Sequence, residues 1–142
     1  MAKQISVFLE NKAGRMAHIT RVLGDANIDI RALSIADTAE FGILRLIVND
    51  PEKAYAILRQ AGFTVSETEV LVVKIPDHPG GLADVLDKMK QQNINLEYVY
   101  AFLGGEKNQA QVIFKTEDVE QARDAFQKQG IEFVNDRDVY AL

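Results

Sequence analysis

The sequence predicts an α+β protein made of two copies of one βαββαβ motif, each with an antiparallel sheet and both helices on one face of that sheet. Two observations predict this class. The same glycines and asparagines recur along the chain at an offset of 66 to 68 residues. Each copy also alternates short β-rich runs with stretches whose apolar residues have helical spacing. The 142 residues allow two units, each of about 70 residues, which we expect at 1–68 and 69–142.

The repeat depends on the order of the matched residues, because overall identity between the two copies is low. Residues 11–17 align with residues 77–83, and the same offset of 66 aligns 27–30 with 93–96. Farther along, an offset of 68 aligns Ala54 with Ala122 and Gly62 with Gly130. We assign the difference of two residues to a longer turn at 104–108 in the second copy.

In the first copy we predict strands at 5–9, 28–35, 43–48 and 63–68, with a turn at Gly42. The first helix begins at Gly14 and ends at Asn27, because asparagine tolerates the left-handed conformation common at helix ends. The second helix follows Asp50, a capping residue, has Pro51 at its first position and ends at Gly62. The residues expected on the buried faces of these helices are Met16, Ile19, Val22, Leu23 and Ala26, then Ala54, Ile57, Leu58 and Ala61.

In the second copy we predict strands at 70–75, 94–102, 109–115 and 131–134, followed by a terminal strand at 138–142. Thr116 is the expected cap of the last helix. The expected buried residues are Leu82, Val85, Leu86 and Met89 on one helix and Val119, Ala122 and Phe126 on the other. This element order is the ferredoxin-like motif, present twice. The sheet face away from the helices carries Ile43, Ile47 and Ile113, so we expect a partner, such as a second copy of the chain, to cover it.

Composition argues against several classes of function. The chain has no cysteine, which excludes disulfides, thiolate nucleophiles and cysteine metal sites. No phosphate-binding loop, nucleophile elbow or metal-ligand spacing accompanies the two histidines, so we expect no cofactor, no metal and no catalysis. The net charge of −5 argues against nucleic acid. No apolar run reaches roughly 18 residues, and no signal peptide pattern opens the chain, so we expect a cytoplasmic protein away from membranes.

A glycine opens the first helix of each copy directly after a strand, Gly14 in one and Gly80 in the other. The simplest interpretation is a tight turn that needs glycine torsions. A backbone without side chains also lets a small ligand approach closely, and the N–H groups at a helix start favour a carboxylate. Backbone carbonyls, or the side chains of Asn11 and Asp77, would accept hydrogen bonds from an ammonium group. These features suit a small zwitterion without identifying it.

The chain resembles tandem ACT-domain proteins, the small-molecule regulatory modules of amino-acid metabolism. The resemblance covers essentially the whole chain and is carried by residues 10–16 with Asn27-Ile28, repeated as residues 77–82 with Asn93-Ile94. It implies two domains paired side by side into one eight-stranded sheet. An amino acid would then bind at the seam, between the glycine loop of one domain and the second strand of the other.

The same resemblance implies which residues bind the amino acid. They are Asn11, Gly14, Arg15, Met16, Asn27 and Ile28 in the first copy, and Asp77, Pro79, Gly80, Gly81, Leu82, Asn93 and Ile94 in the second. His78 lies in the second loop and is a further candidate for ligand contact. We expect the second loop to be the better pocket, because the first has Ala13 in place of Pro79 and the bulkier Arg15 in place of Gly81.

Tyr98 and Tyr100 alternate onto one face of a predicted strand. They form either a half-buried pair or one wall of a pocket for the ligand's side chain. The leading functional hypothesis is a sensor of a free amino acid, a homodimer whose readout is a change in oligomeric state or in a separate partner. The second hypothesis is an oligomerisation module without a ligand. The third is an enzyme that uses Asp77 and His78.

Overall fold

The structure is a computed structural model that describes residues 1–10, 12–37, 41–102 and 107–141. It divides into two compact units. The N-terminal unit comprises Lys3–Thr68 with the chain end from Tyr140, and the C-terminal unit comprises Glu69–Val139 with Met1 and Ala2. Asn11 and residues 104–106 of the predicted turn lie outside the described residues.

The N-terminal unit contains β1 (Ala2–Glu10), α1 (Arg15–Asp25), β2 (Ile30–Asp37), β3 (Phe41–Val48), α2 (Pro51–Gln60) and the beginning of β4 (Thr64–Pro76). Its strands lie in the order β2-β3-β1-β4, and β3 is antiparallel to both β1 and β2. The predicted βαββαβ order is therefore confirmed. The turn predicted at Gly42 is wrong, because Gly42 lies within β3 and pairs with Leu9 on one side and Asp37 on the other.

The C-terminal unit contains the rest of β4, then α3 (Gly81–Gln91), β5 (Leu96–Ala101), β6 (Gln109–Thr116), α4 (Val119–Lys128), β7 (Glu132–Phe133) and α5 (Asp136–Ala141). Its strands lie in the order β7-β4-β6-β5, and all three pairings are antiparallel. This unit repeats the βαββαβ order of the N-terminal unit.

Two predictions for the C-terminal unit are wrong. The segment predicted as a terminal strand forms α5, because the Asn135 Oδ1 atom accepts a hydrogen bond from the Asp138 amide at 2.9 Å and begins a helix. Thr116 does not cap α4, because it pairs with Leu96 as the last residue of β6. The cap is Asp118.

The eight-stranded sheet implied by the resemblance is also wrong for the described part of the chain, which has seven strands. The strands predicted at 63–68 and 70–75 are one continuous strand, β4, of 13 residues. The boundary between the two units, at Thr68 and Glu69, falls inside that strand. One strand therefore closes the first copy and opens the second.

Each unit has its own core between one face of its strands and its two main helices, as predicted. In the N-terminal unit, Ile5, Val7, Leu44, Leu46 and Val48 of the strands pack with Ile19, Leu23, Ala54 and Leu58 of the helices. In the C-terminal unit, Leu71, Val73, Ile75, Val112 and Phe114 pack with Val85, Met89, Ala122 and Phe126. Ala61 and Leu82 are exposed instead of buried, because they lie beyond the end of α2 and in the first turn of α3.

The opposite strand face differs from the prediction. Ile47 and Ile113 are fully buried in the single chain, so the expectation that they need a partner to cover them is wrong. The large apolar side chains left exposed on that face of the N-terminal unit are Phe8, 51% exposed, and Phe41, 53% exposed. Phe8 pairs with Ile43 across β1 and β3, and Phe41 lies two positions from Ile43 on the same side.

Candidate ligand-binding site

The two glycine loops have the same backbone geometry. Gly14 has φ +84° and ψ −7°, and Gly80 has φ +88° and ψ −9°. Both values lie in the left-handed region, which glycine enters without steric cost. The His18 amide donates to the Gly14 carbonyl oxygen at 2.9 Å, and the Asp84 amide donates to the Gly80 carbonyl oxygen at the same distance. The offset of 66 residues seen in the sequence is therefore present in the backbone hydrogen bonds.

The helices that follow these loops begin without a side-chain cap. Neither α1 nor α3 has a side-chain hydrogen bond at its N-cap. By contrast, the Asp50 carboxylate accepts from the Lys53 amide at 3.1 Å at the start of α2, and the Asp118 carboxylate accepts from the Gln121 amide at 3.0 Å at the start of α4. The first amide of each helix donates to a loop carbonyl oxygen, Arg15 to Lys12 at 3.3 Å and Gly81 to His78 at 3.0 Å. The amides that follow have no side-chain cap and keep donors for an anion.

The loops differ at the position after the first glycine. A Cβ atom on Gly81 would lie 2.1 Å from the Pro76 carbonyl oxygen, so the backbone itself excludes a side chain there. Arg15 occupies the equivalent position in the first loop, and its guanidinium lies 3.6 Å from the Glu10 carboxylate. The first loop therefore has a cationic side chain at a position where the second loop has no room for any side chain.

The remaining predicted residues of the second loop are accessible to solvent. Asp77, His78, Pro79 and Gly80 are all exposed, and Leu82 is 39% exposed. The Nδ1 atom of His78 lies 2.9 Å from the Pro79 carbonyl oxygen. An exposed loop with these groups is open to a small ligand.

The predicted strand residues lie at the other end of each first helix. Asn27 and Asn93 follow α1 and α3 with φ of +60° and +54°, which confirms the left-handed helix end predicted for Asn27. The 11 residues of α3 span about 16 Å, and Gly80 precedes the helix whereas Asn93 follows it. A single unit therefore does not bring Ile28 or Ile94 to its own glycine loop.

Asn93 and Ile94 instead line a cavity of 760 Å³ at their end of the C-terminal unit. Glu69, Glu117, Asp118 and Glu120 also line this cavity. Because four carboxylates surround it, the cavity disfavours an anionic ligand.

Tyr98 and Tyr100 are half-buried on β5. Their ring centroids lie 6.4 Å apart with the planes at 25°, so the rings stack on each other. Tyr98 pairs with Lys115 and Tyr100 pairs with Ile113 across the sheet. Contact of either ring with a ligand stays a prediction.

A second cavity, of 450 Å³, lies within the N-terminal unit and is lined by Phe8, Glu10, Arg15, Phe41 and Phe63. Of these five, only Arg15 is predicted from the sequence. The sequence does hold a signal for two of the others, because Phe8 and Glu10 alternate with the core residues of β1 and must face the other way.

The charges beside this cavity are unequal. The Glu10 carboxylate lies 2.9 Å from the Lys12 ammonium and 3.6 Å from the Arg15 guanidinium. The hydrogen bond from Lys12 lowers the pKa of Glu10 below its ordinary value, and the positive charges of Lys12 and Arg15 lower it further. Two cations therefore accompany one carboxylate at the first loop.

Over the described ranges, no three His, Asp or Glu side chains are grouped so as to hold a metal ion. Nor is any helix in that part of the chain long and apolar enough to cross a membrane.

The fold and the paired loops define a tandem of two ferredoxin-like domains, each with an uncapped, glycine-opened first helix. The ACT domain pair family matches residues 1–142, and the chain belongs to that family. The resemblance stated from the sequence is therefore confirmed.

Solved structures agree with this assignment. Protein BT0572 from Bacteroides thetaiotaomicron is 38% identical, with a TM-score of 0.93 over 99% of this chain and 96% of that chain. The regulatory subunit of aspartate kinase from Thermus thermophilus is 16% identical, with a TM-score of 0.66 over 89% of this chain and 91% of that chain. The corresponding subunit from Thermus flavus is also 16% identical, with a TM-score of 0.61 over 89% and 90%. The two Thermus subunits share the fold. No curated protein sequence matches the chain.

Proposed function

We propose that the protein is a regulatory module that binds a small amino acid through the glycine loops before α1 and α3. One observation carries the proposal: both of these helices begin at a left-handed glycine without a side-chain cap, whereas Asp50 and Asp118 cap the other two main helices. Membership of the ACT domain pair family supports it. The similar fold of the aspartate kinase regulatory subunits from Thermus supports a regulatory role.

The chemistry of the loops suits a zwitterion. The uncapped amides that follow Arg15 and Gly81 would donate to a carboxylate, and the helix dipole adds roughly half a positive charge at that end. In the second loop the exposed Asp77 side chain is available to accept from an ammonium group. Gly80 is exposed, and no atom lies within 4 Å of a Cβ built on it, so it leaves the backbone open to close approach. His78, Pro79 and Leu82 would then contact the rest of the ligand.

Contact between the ligand and the residues at the second strand of each unit stays a prediction. These residues are Asn27, Ile28, Asn93, Ile94, Tyr98 and Tyr100. The asparagine and isoleucine pairs lie at the far end of the first helix of their own unit. If they take part, they act on a loop other than their own.

Calorimetry of the full chain against the twenty amino acids tests the proposal. The decisive variant is Gly80→Asp, and Gly80→Asn is its neutral control of the same shape. No atom lies within 4 Å of a Cβ built on Gly80, so both side chains fit, and both residue types tolerate a positive φ. The Asp carboxylate would occupy the donors of α3 and repel a ligand carboxylate, so we expect Gly80→Asp to weaken binding about tenfold more than Gly80→Asn.

The corresponding pair at Gly14 tests the first loop. Binding that is equal in the Asp and Asn variants of both loops would contradict the proposal, as would the absence of any heat of binding at millimolar amino acid. Size-exclusion chromatography with and without the bound amino acid then tests whether the readout is a change in oligomeric state.

One observation favours the oligomerisation module as a second candidate. Strand β2 lies at the end of the strand order of its unit, and it carries Leu33, 38% exposed, and Ile35, 45% exposed. An edge strand with apolar side chains is a template for pairing with another chain. A dimer that Ile35→Lys dissociates and that no amino acid alters would favour this candidate over the sensor.

A further inference from the structure

The cavity of the N-terminal unit combines three aromatic rings with charged groups. Phe8, Phe41 and Phe63 supply the rings, and Glu10 and Arg15 supply the charges. Its volume of 450 Å³ falls in the range of about 300–1,000 Å³ that holds small organic ligands. Every lining residue belongs to the N-terminal unit, so that unit alone forms the cavity.

Two of the rings leave much of their surface in water. Phe8 is 51% exposed and Phe41 is 53% exposed, although most large apolar side chains of this unit are buried. Phe63 is half-buried and packs against the core of the unit. An apolar group placed among the three rings would remove their exposed surface from water.

The charged groups favour an anion over a cation. Glu10 has Lys12 as its close partner at 2.9 Å, so its carboxylate is already neutralised. The guanidinium of Arg15 lies farther from Glu10, at 3.6 Å. A guanidinium has five N–H donors, more than this one carboxylate engages, so Arg15 keeps donors for a second carboxylate. Glu10, held in its charged form by these two cations, offers no unpaired charge to an ammonium group.

The C-terminal unit has an equivalent cavity with a different lining. Its volume is 340 Å³, and most of its lining residues lie 66 or 68 positions after a lining residue of the N-terminal cavity. Where the N-terminal cavity has its three rings, this one has Lys74, Gln109 and Ile131. The fold thus forms the cavity in both units, and only the N-terminal copy has an aromatic lining.

We propose that the N-terminal cavity binds a small organic acid that has an aromatic ring and no ammonium group, with the ring among Phe8, Phe41 and Phe63 and the carboxylate at Arg15. Such a ligand differs from the amino acid proposed for the glycine loops. The two ligands would be recognised by different groups, side chains in one case and helix-terminal amides in the other.

Titration of the isotope-labelled full chain with 3-phenylpropanoate, followed by NMR, tests this site. Two other probes separate the contributions of ring and charge: 3-phenylpropan-1-ol keeps the ring without the carboxylate, and butanoate keeps the carboxylate without the ring. We expect saturable shifts at the amides of Gly62, Phe63 and Thr64, which line the cavity. We expect each partial probe to bind about tenfold or more weakly than 3-phenylpropanoate.

Matched variants assign the contacts. Phe8→Thr and Arg15→Gln each remove one recognition element, and we expect each to weaken 3-phenylpropanoate about tenfold. Lys74→Thr alters the position equivalent to Phe8 in the other unit, and Arg21→Gln removes an exposed cation of α1 that does not line the cavity. Both controls should bind like the wild type.

Several outcomes would overturn the proposal. They are an absence of saturable shifts up to about 10 mM probe, shifts centred on the C-terminal unit, or an equal loss in Arg15→Gln and Arg21→Gln, which would indicate general attraction by charge. Failure of amino-acid binding at the glycine loops is a separate result. That result comes from calorimetry with amino acids and from the Gly80→Asp variant, whose substitution lies outside the N-terminal unit.

Discussion

Replacing Gly81 by alanine is expected to destabilise the C-terminal unit by about 2 kcal/mol, although alanine is the better helix former. A Cβ atom at this position would lie 2.1 Å from the Pro76 carbonyl oxygen and 3.3 Å from its carbonyl carbon. Both neighbours are backbone atoms, so no side chain can rotate away. The start of α3 or the end of β4 must move by about 1 Å to restore ordinary van der Waals contact.

Three effects set the magnitude. Alanine gains about 1 kcal/mol of helix propensity over glycine. Forcing a methyl group into filled space typically costs about 1–3 kcal/mol. The displaced Pro76 oxygen also accepts a hydrogen bond from the His78 amide at 3.1 Å, whose loss costs about 1 kcal/mol. The steric and hydrogen-bond costs exceed the gain in propensity.

Two matched variants isolate the steric contact. Gly80→Ala adds the same methyl group one residue earlier, where no atom lies within 4 Å but φ is +88°. Left-handed strain, partly offset by the lower entropy of the unfolded chain, should cost about 1 kcal/mol there. Arg15→Ala, at the equivalent position of the first loop, leaves a Cβ atom in place and should change stability by about 0.5 kcal/mol or less.

Urea unfolding followed by NMR measures these changes unit by unit. The amides of Val73 and Phe114, which lie in the core of the C-terminal unit, report on that unit, and the amide of Leu46 reports on the other. We expect Gly81→Ala to lower the urea midpoint for the first two amides. A Gly81→Ala protein as stable as the wild type, or more stable than Gly80→Ala, would refute the close backbone approach.

Three further changes test the core, a cap and an ion pair. Phe126→Ala removes a fully buried ring that meets Phe114 edge-on at 5.9 Å, and it should cost about 3–5 kcal/mol by urea unfolding; a cost below about 1 kcal/mol would contradict the packing. Asp118→Ala removes the cap of α4 and should cost about 1 kcal/mol, whereas Asp124→Ala, exposed on the same helix, should cost less than about 0.5 kcal/mol; equal costs would contradict the capping role. The pKa of Glu10, followed by carboxyl ¹³C shifts, should lie below its ordinary value and rise in Lys12→Gln. Because the folded pKa is lowered, the stability from this pair is present above the unfolded pKa and is lost as pH falls through the folded one; an unchanged pKa in Lys12→Gln would contradict it.

Features with a local physical cause were predictable from the sequence. Asn27 and Gly62 have positive φ where helix ends were predicted, and Asp50 caps α2 as predicted. In these cases the residue type is a strong local signal, since few residues tolerate a positive φ or offer a carboxylate to a free amide. The two glycine loops belong to the same class of signal.

Features that depend on pairing between distant residues were not predictable. Thr116 has the composition of a cap, yet it stays in β6 because Leu96 pairs with it across the sheet. The fusion of two predicted strands into β4 likewise depends on partners in both units. The N-terminal cavity is the same case, because Phe8, Phe41 and Phe63 come from three separate segments and only the folded sheet brings them together.

The two copies have diverged in a way that bears on ligand choice. Their loops keep the same torsions and the same hydrogen bonds, but an uncapped helix start attracts any carboxylate and cannot by itself distinguish one acid from another. Discrimination requires side chains, and the copies differ there: Arg15 stands where the second copy has Gly81, and Phe8 stands where it has Lys74. An aromatic acid without an ammonium group suits the first set, whereas the second set has no ring to receive it. The duplication therefore leaves both units the same glycine loop and gives the first unit an additional side-chain site.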